Sequence, residues 1–111
     1  MNVPSNAFYW CVPLSEVVLL DSVKTIADNA FVRTYNLTIT IGTGLTSFTG
    51  IDVFYYDNVT MYIHNTTPPT VATNAFRNAT FLAIYVPAES VEAYKAASGW
   101  SAFASKIQAL P

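Results

Sequence analysis

The sequence predicts an α/β solenoid, with short parallel strands stacked in three to four coils and closed by a C-terminal helical cap. Three observations carry this. Phe8, Phe31, Phe54 and Phe76 recur at intervals of 23, 23 and 22 residues, and three of them close the tripeptide Asn-Ala-Phe. A period in the low twenties marks a solenoid, whose repeats bury their apolar faces only by stacking. Second, Leu14, Leu37 and Val59 each stand 17 residues before a phenylalanine and open stretches in which apolar residues mostly alternate, the period of half-buried strands. Third, the pattern gives way after Val86 to strong helix formers. Repeats are therefore expected over 1–86 and the cap over 87–111.

Residues 2–8 look like the second half of a repeat without its strand, the expectation being a fragment or truncated relative of a larger array, with a naturally short protein as the alternative. In the first coil Leu14, Val17 and Leu19 carry an irregular strand, and Val23 and Ile26 the returning side. The second coil is cleaner, with Leu37, Ile39 and Ile41 in the strand and Leu45 and Phe48 in the return. Gly42-Thr43-Gly44 reads as the turn between them. The third strand has Val59, Met61 and Ile63, but its return carries Pro68 and Pro69, which lack N–H donors and cannot sit in a central ladder. The strand pattern comes back after Phe76 as Leu82, Ile84 and Val86.

Pro87 ends that strand. Residues 88–97 favour a helix of two to three turns, with Val91, Tyr94 and Ala97 on one face. Ser98-Gly99 stops it, because glycine serves well at a helix C-terminus. A second short helix is expected over 101–109, presenting Phe103 and Ile107 with Trp100 at its entry. Glu89 and Glu92 fall in the first helical turn, where negative charge suits the helix dipole.

These residues amount to a resemblance. The motif Leu-x-x-Val-x-Leu-x-x-Ser-Val-x-x-Ile-x-x-Asn-Ala-Phe, from Leu14 to Phe31, resembles the repeat of the BspA-like leucine-rich repeat family, and Ile84 to Leu110 resembles the segment that often ends such arrays. Ile51-Asp52-Val53-Phe54 and the proline pair depart from the pattern. The resemblance implies a leucine-rich-repeat horseshoe and an adhesion role on a bacterial surface or secreted protein. Its implied partners are host extracellular or other cell-surface proteins.

Composition narrows the function classes. Apolar residues make up 52% of the chain, ample for a core, and charged residues only 11%, against about a quarter in average proteins. The exposed faces must then be built from Thr, Asn, Ser and Tyr. A net charge of −2 without a Lys/Arg cluster argues against nucleic acid. No apolar run approaches the roughly 20 residues of a membrane span, and no signal peptide is visible in this chain.

Catalytic and metal-binding constellations are not found. Cys11 is the single cysteine and His64 the single histidine; they lie two coils apart, roughly 10 Å along the stack. Cys11 reads as a small core residue. The carboxylates Glu16, Asp21, Asp28, Asp52 and Asp57 are scattered, so neither metal nor cofactor is expected. The candidate binding residues are those that point away from the buried alternation: Thr38, Thr40, Thr60, Tyr62, His64 and Tyr85, with Ala83. They form a Thr and Tyr ladder suited to polar contacts with proteins or glycans. Tyr9, Trp10, Tyr35, Tyr55 and Tyr56 form a second aromatic set, which reads as staples between coils.

Asn-x-Thr sequons stand at Asn36, Asn58, Asn65 and Asn78. They read as repeat grammar, since Asn before a strand and Thr within it recur in the same columns. Asp21-Ser22-Val23 matches a short O-glycosylation motif in three residues only. The functional expectation is a non-enzymatic interaction and adhesion module. Its rivals are a structural spacer or cap of a larger array, and an enzyme-associated domain.

Overall fold

In the computed structural model the described residues are 2–3, 16–27, 31, 36–50, 53–54, 57–77 and 79–111. The expectations for Phe8, Cys11, Leu14, Asn78 and the set Tyr9, Trp10, Tyr35, Tyr55 and Tyr56 lie outside them, as do Asp28, Ile51 and Asp52.

Alternation forms the strands and repetition pairs them. β2 (Glu16–Leu19), β4 (Asn36–Ile41), β6 (Asn58–Ile63) and β8 (Thr80–Val86) pair in parallel, each with the strand one repeat away. The returning sides form a second parallel sheet, β1 (Asn2–Val3), β3 (Thr25–Ile26), β5 (Ser47–Phe48) and β7 (Thr70–Val71). Leu37, Ile39 and Ile41 and then Val59, Met61 and Ile63 are all buried, as their spacing predicts. Between the sheets run the phenylalanines. Phe31 stacks on Phe54 at 5.6 Å and Phe54 on Phe76 at 5.9 Å, while Phe48 from the return meets both Phe54 and Phe76 edge-on.

The turn between strand and return is tight. A Cβ on Gly44 would stand 1.7 Å from the Asp21 carbonyl oxygen of the preceding coil, so only glycine lets the coils approach there. Asp21 also accepts a hydrogen bond from the Thr43 N–H at 2.7 Å, and its carboxylate is thereby committed to coil stacking. The prolines stay out of the ladder. β7 starts immediately after Pro69 and is the last strand of its sheet.

The fourth long strand corrects the expected phase. Val59 pairs with Phe81 but Thr60 pairs with Ala83, so Leu82 is an extra residue in a bulge and is 57% exposed. Phe81 takes the core position expected of Leu82. It packs edge-on against Phe76 at 5.1 Å and Phe103 at 4.7 Å. The aromatic side chain fills volume among rings that leucine would leave empty, and a bulge is the local device that admits one residue more.

The cap also differs from expectation. A 3-10 turn (Ala88–Ser90) leads into α1 (Val91–Ala96), Gly99 takes φ +85°, and a 3-10 helix covers Ser101–Lys106. The next residues are strand, not helix: β9 (Ile107–Ala109) pairs in parallel with β8 as the fifth strand of the larger sheet. An open edge of N–H and C=O groups outweighs the weak helical preference of three residues.

Three cap side chains hold the loop that carries the prolines. Ser90 Oγ donates to Thr66 O at 2.7 Å, Tyr94 OH to Asn65 O at 2.8 Å, and Trp100 Nε1 to Pro69 O at 2.9 Å. Pro68 and Pro69 bring no N–H of their own, and the cap supplies donors to the loop's carbonyls. Tyr94→Phe should therefore cost about 1–3 kcal/mol by leaving a buried acceptor unpaired, read as a lower denaturation midpoint. Burial also pushes the Tyr94 phenol well above its ordinary value. Above about pH 10 the unfolded chain loses that proton while the folded one keeps it, so stability falls as pH rises. Tyr94→Phe should lose this part of the alkaline slope.

Candidate binding face

The outward positions of the larger sheet line up because the register is in phase. Glu16, Thr38, Thr60 and Ala83 form one row across the strands, and Val18, Thr40, Tyr62, Tyr85 and Gln108 the next. Thr38, Thr40, Thr60, Tyr62 and Tyr85 are partly exposed and His64 is exposed. The His64 N–H donates to Ile41 O at 2.9 Å, which extends the ladder just beyond β6. Ala83 departs from the expected exposure: it is 8% exposed, its single methyl being too short to rise among longer neighbours.

Two tyrosines dominate the face. The rings of Tyr62 and Tyr85 stack at 4.8 Å with 12° between their planes. Beside them a concavity of about 620 Å³ is lined by Glu16, Thr38, Thr40, Tyr62 and His64, with Leu110 and Pro111 from the end of the chain. The structure thus brings four of the six candidates around one space, with Thr60 and Tyr85 next to it in the rows. Glu16, Leu110 and Pro111 join the set without having been singled out. Glu16 was legible in the repeat, since it stands 22 residues before Thr38. The tail residues were not, because their approach to the sheet depends on how β9 docks. Val18 in β2 and Leu20 just after that strand are exposed, at 57% and 70%.

The face offers hydrogen-bonding groups around an aromatic surface. Thr hydroxyls, a carboxylate and an imidazole surround one aromatic wall, and no three His, Cys, Asp or Glu side chains converge as a metal site among the described residues. No helix there is long and apolar enough to cross a membrane.

The sequons are sorted by the same geometry. Asn36 and Asn58 are exposed at the starts of β4 and β6, and Asn58 Nδ2 donates to Asn36 Oδ1 at 3.2 Å. Asn65 is buried, and its amide donates to Leu45 O.

In-phase strands, a phenylalanine column and this open face describe a repeat unit, and the family described as BspA type leucine rich repeat region (6 copies) matches residues 1–105. The chain belongs to that family. No curated protein matches it. BspA type leucine-rich repeats are generally non-enzymatic, and the match is consistent with a repeat module that works through its surface.

Proposed function

We propose that this BspA type repeat stack is a protein-interaction and adhesion module of a cell-surface or secreted protein, and that the open sheet face makes the contact. The observation that carries the reading is the stacked Tyr62 and Tyr85 pair, in one row with Thr40 and beside the row of Thr38 and Thr60. Tyrosine gives contact area and a hydrogen-bonding tip at low entropic cost, and it is enriched among residues that dominate interfaces. The neighbouring exposed Val18 and Leu20 extend that face with apolar area. Family membership supports the surface setting, which is typical of BspA type repeats.

The double replacement Tyr62→Ala/Tyr85→Ala tests it. Binding to immobilised extracellular-matrix proteins and to whole cells should fall at least tenfold, since interface tyrosines of this kind contribute about 2 kcal/mol or more each. The thermal midpoint should hold nearly constant, because both rings lie outside the core. Unchanged binding would place the contact elsewhere.

A further inference from the structure

We propose that the open face holds a pocket for one neutral sugar ring of a glycan, stacked on the uncovered side of Tyr62. This rests on the reading of the face as the contact surface and names the chemistry that it recognises.

The ring geometry comes first. Tyr62 and Tyr85 are register partners on adjacent strands, and their 4.8 Å separation equals the spacing of about 4.8 Å between strands. Their planes therefore stand across the stacking direction, one behind the other. Tyr85 covers one side of Tyr62. The other side looks toward the partner in the opposite direction, Thr40, whose short side chain cannot cover a six-membered ring. Beyond Thr40 comes Val18, two strand spacings or about 9.6 Å from Tyr62. A saturated ring at van der Waals distance from Tyr62, about 3.5–4.0 Å, would lie over Thr40.

The polar groups then select the occupant. A pyranose has a face of C–H groups, which suits an aromatic wall, and a rim of hydroxyls that each donate and accept. Around this space stand the hydroxyls of Thr38 and Thr40, the Glu16 carboxylate and the His64 imidazole, a mixture of donors and acceptors that matches such a rim. Among the described residues neither Lys nor Arg lines the pocket, so there an acidic sugar would meet Glu16 without a Lys or Arg to compensate it. The volume of about 620 Å³ falls within the usual range of about 300–1,000 Å³ for small-ligand sites. A peptide fits less well. Strand addition requires a sheet edge, and this is a sheet face; polyproline segments dock in grooves lined by several aromatics, and here the two rings cover each other.

The test uses the full chain, titrated with the methyl glycosides of glucose, galactose, mannose and N-acetylglucosamine and followed by NMR. At least one sugar should bind saturably, with shifts centred on Tyr62, Thr38 and Thr40 and upfield ring-current shifts on its own C–H protons. Tyr62→Phe should retain binding within a few-fold, and Tyr62→Ala should weaken it at least tenfold. Thr40→Tyr should abolish it while the chain stays folded, because a third ring would cover the free side of Tyr62. Absence of binding by all four sugars, or full binding by Thr40→Tyr, would overturn the proposal. A matrix-binding arm separates this from the broader reading: binding lost when glycans are enzymatically removed from the matrix supports the sugar pocket. Binding that survives deglycosylation but still needs Tyr62 and Tyr85 overturns the sugar and keeps the face as a protein contact. Binding that survives deglycosylation and needs neither tyrosine overturns both.

Discussion

Phe54→Ala should unfold most of the chain or lower its thermal midpoint by roughly 10–25 °C. Phe54 is wholly buried and among the described residues contacts four other rings: Phe31 at 5.6 Å, Phe48 at 6.1 Å, Phe76 at 5.9 Å and Phe81 at 6.0 Å. Removing a buried phenylalanine costs about 3–5 kcal/mol, against a total of about 5–15 kcal/mol for a domain. Position worsens the loss. In a stack where each coil touches only its neighbours, a cavity in the middle weakens the interfaces on both sides at once. Circular dichroism melts and denaturant titration provide the measurement, and a midpoint equal to the parent's would contradict the spine.

Trp100→Ala should release the cap and leave the coils as the more stable part. Trp100 is fully buried, packs edge-on against Phe48, Phe76 and Tyr94, and donates to the Pro69 carbonyl. Its truncation combines a cavity of the same order, about 3–5 kcal/mol, with an unpaired buried carbonyl worth about 1–3 kcal/mol. Cap release would also take β9 from β8, exposing a parallel edge that invites association between chains. Limited proteolysis should then cut first within 88–111, and sedimentation should show concentration-dependent oligomers. Trp100→Phe should fall between the two, keeping most of the packing but losing the hydrogen bond. A parent-like cleavage pattern for Trp100→Ala would contradict this role.

Much of this fold was legible because the chain states its rules more than once. Leu37, Ile39 and Ile41 repeat as Val59, Met61 and Ile63 one coil later, and a phase repeated in register leaves few alternatives for which side is inside. The outward residues followed as the complement, so Thr38, Thr40, Thr60, Tyr62 and Tyr85 could be named without coordinates. Leu82 could not be placed that way. Alternation from Leu82 to Ile84 and Val86 is a valid strand phase, but it ignores that Phe81, five residues after Phe76 as Val59 is five after Phe54, fits the ring cluster better. Residues 107–109 failed for a related reason: local propensity cannot see the edge of β8 waiting beside them.

By itself the sequence determined the period and the inner and outer sides of β4 and β6. Each depends on spacing, which polypeptide geometry converts directly into direction. Tertiary structure alone decided the bulge at Leu82, the strand at Ile107–Ala109, the three hydrogen bonds to the 65–69 loop and the convergence of Leu110 and Pro111 on Tyr62 and Thr40. Those features join residues that share no repeat column, and their geometry is fixed by packing and unsatisfied backbone groups that exist only once the coils have stacked.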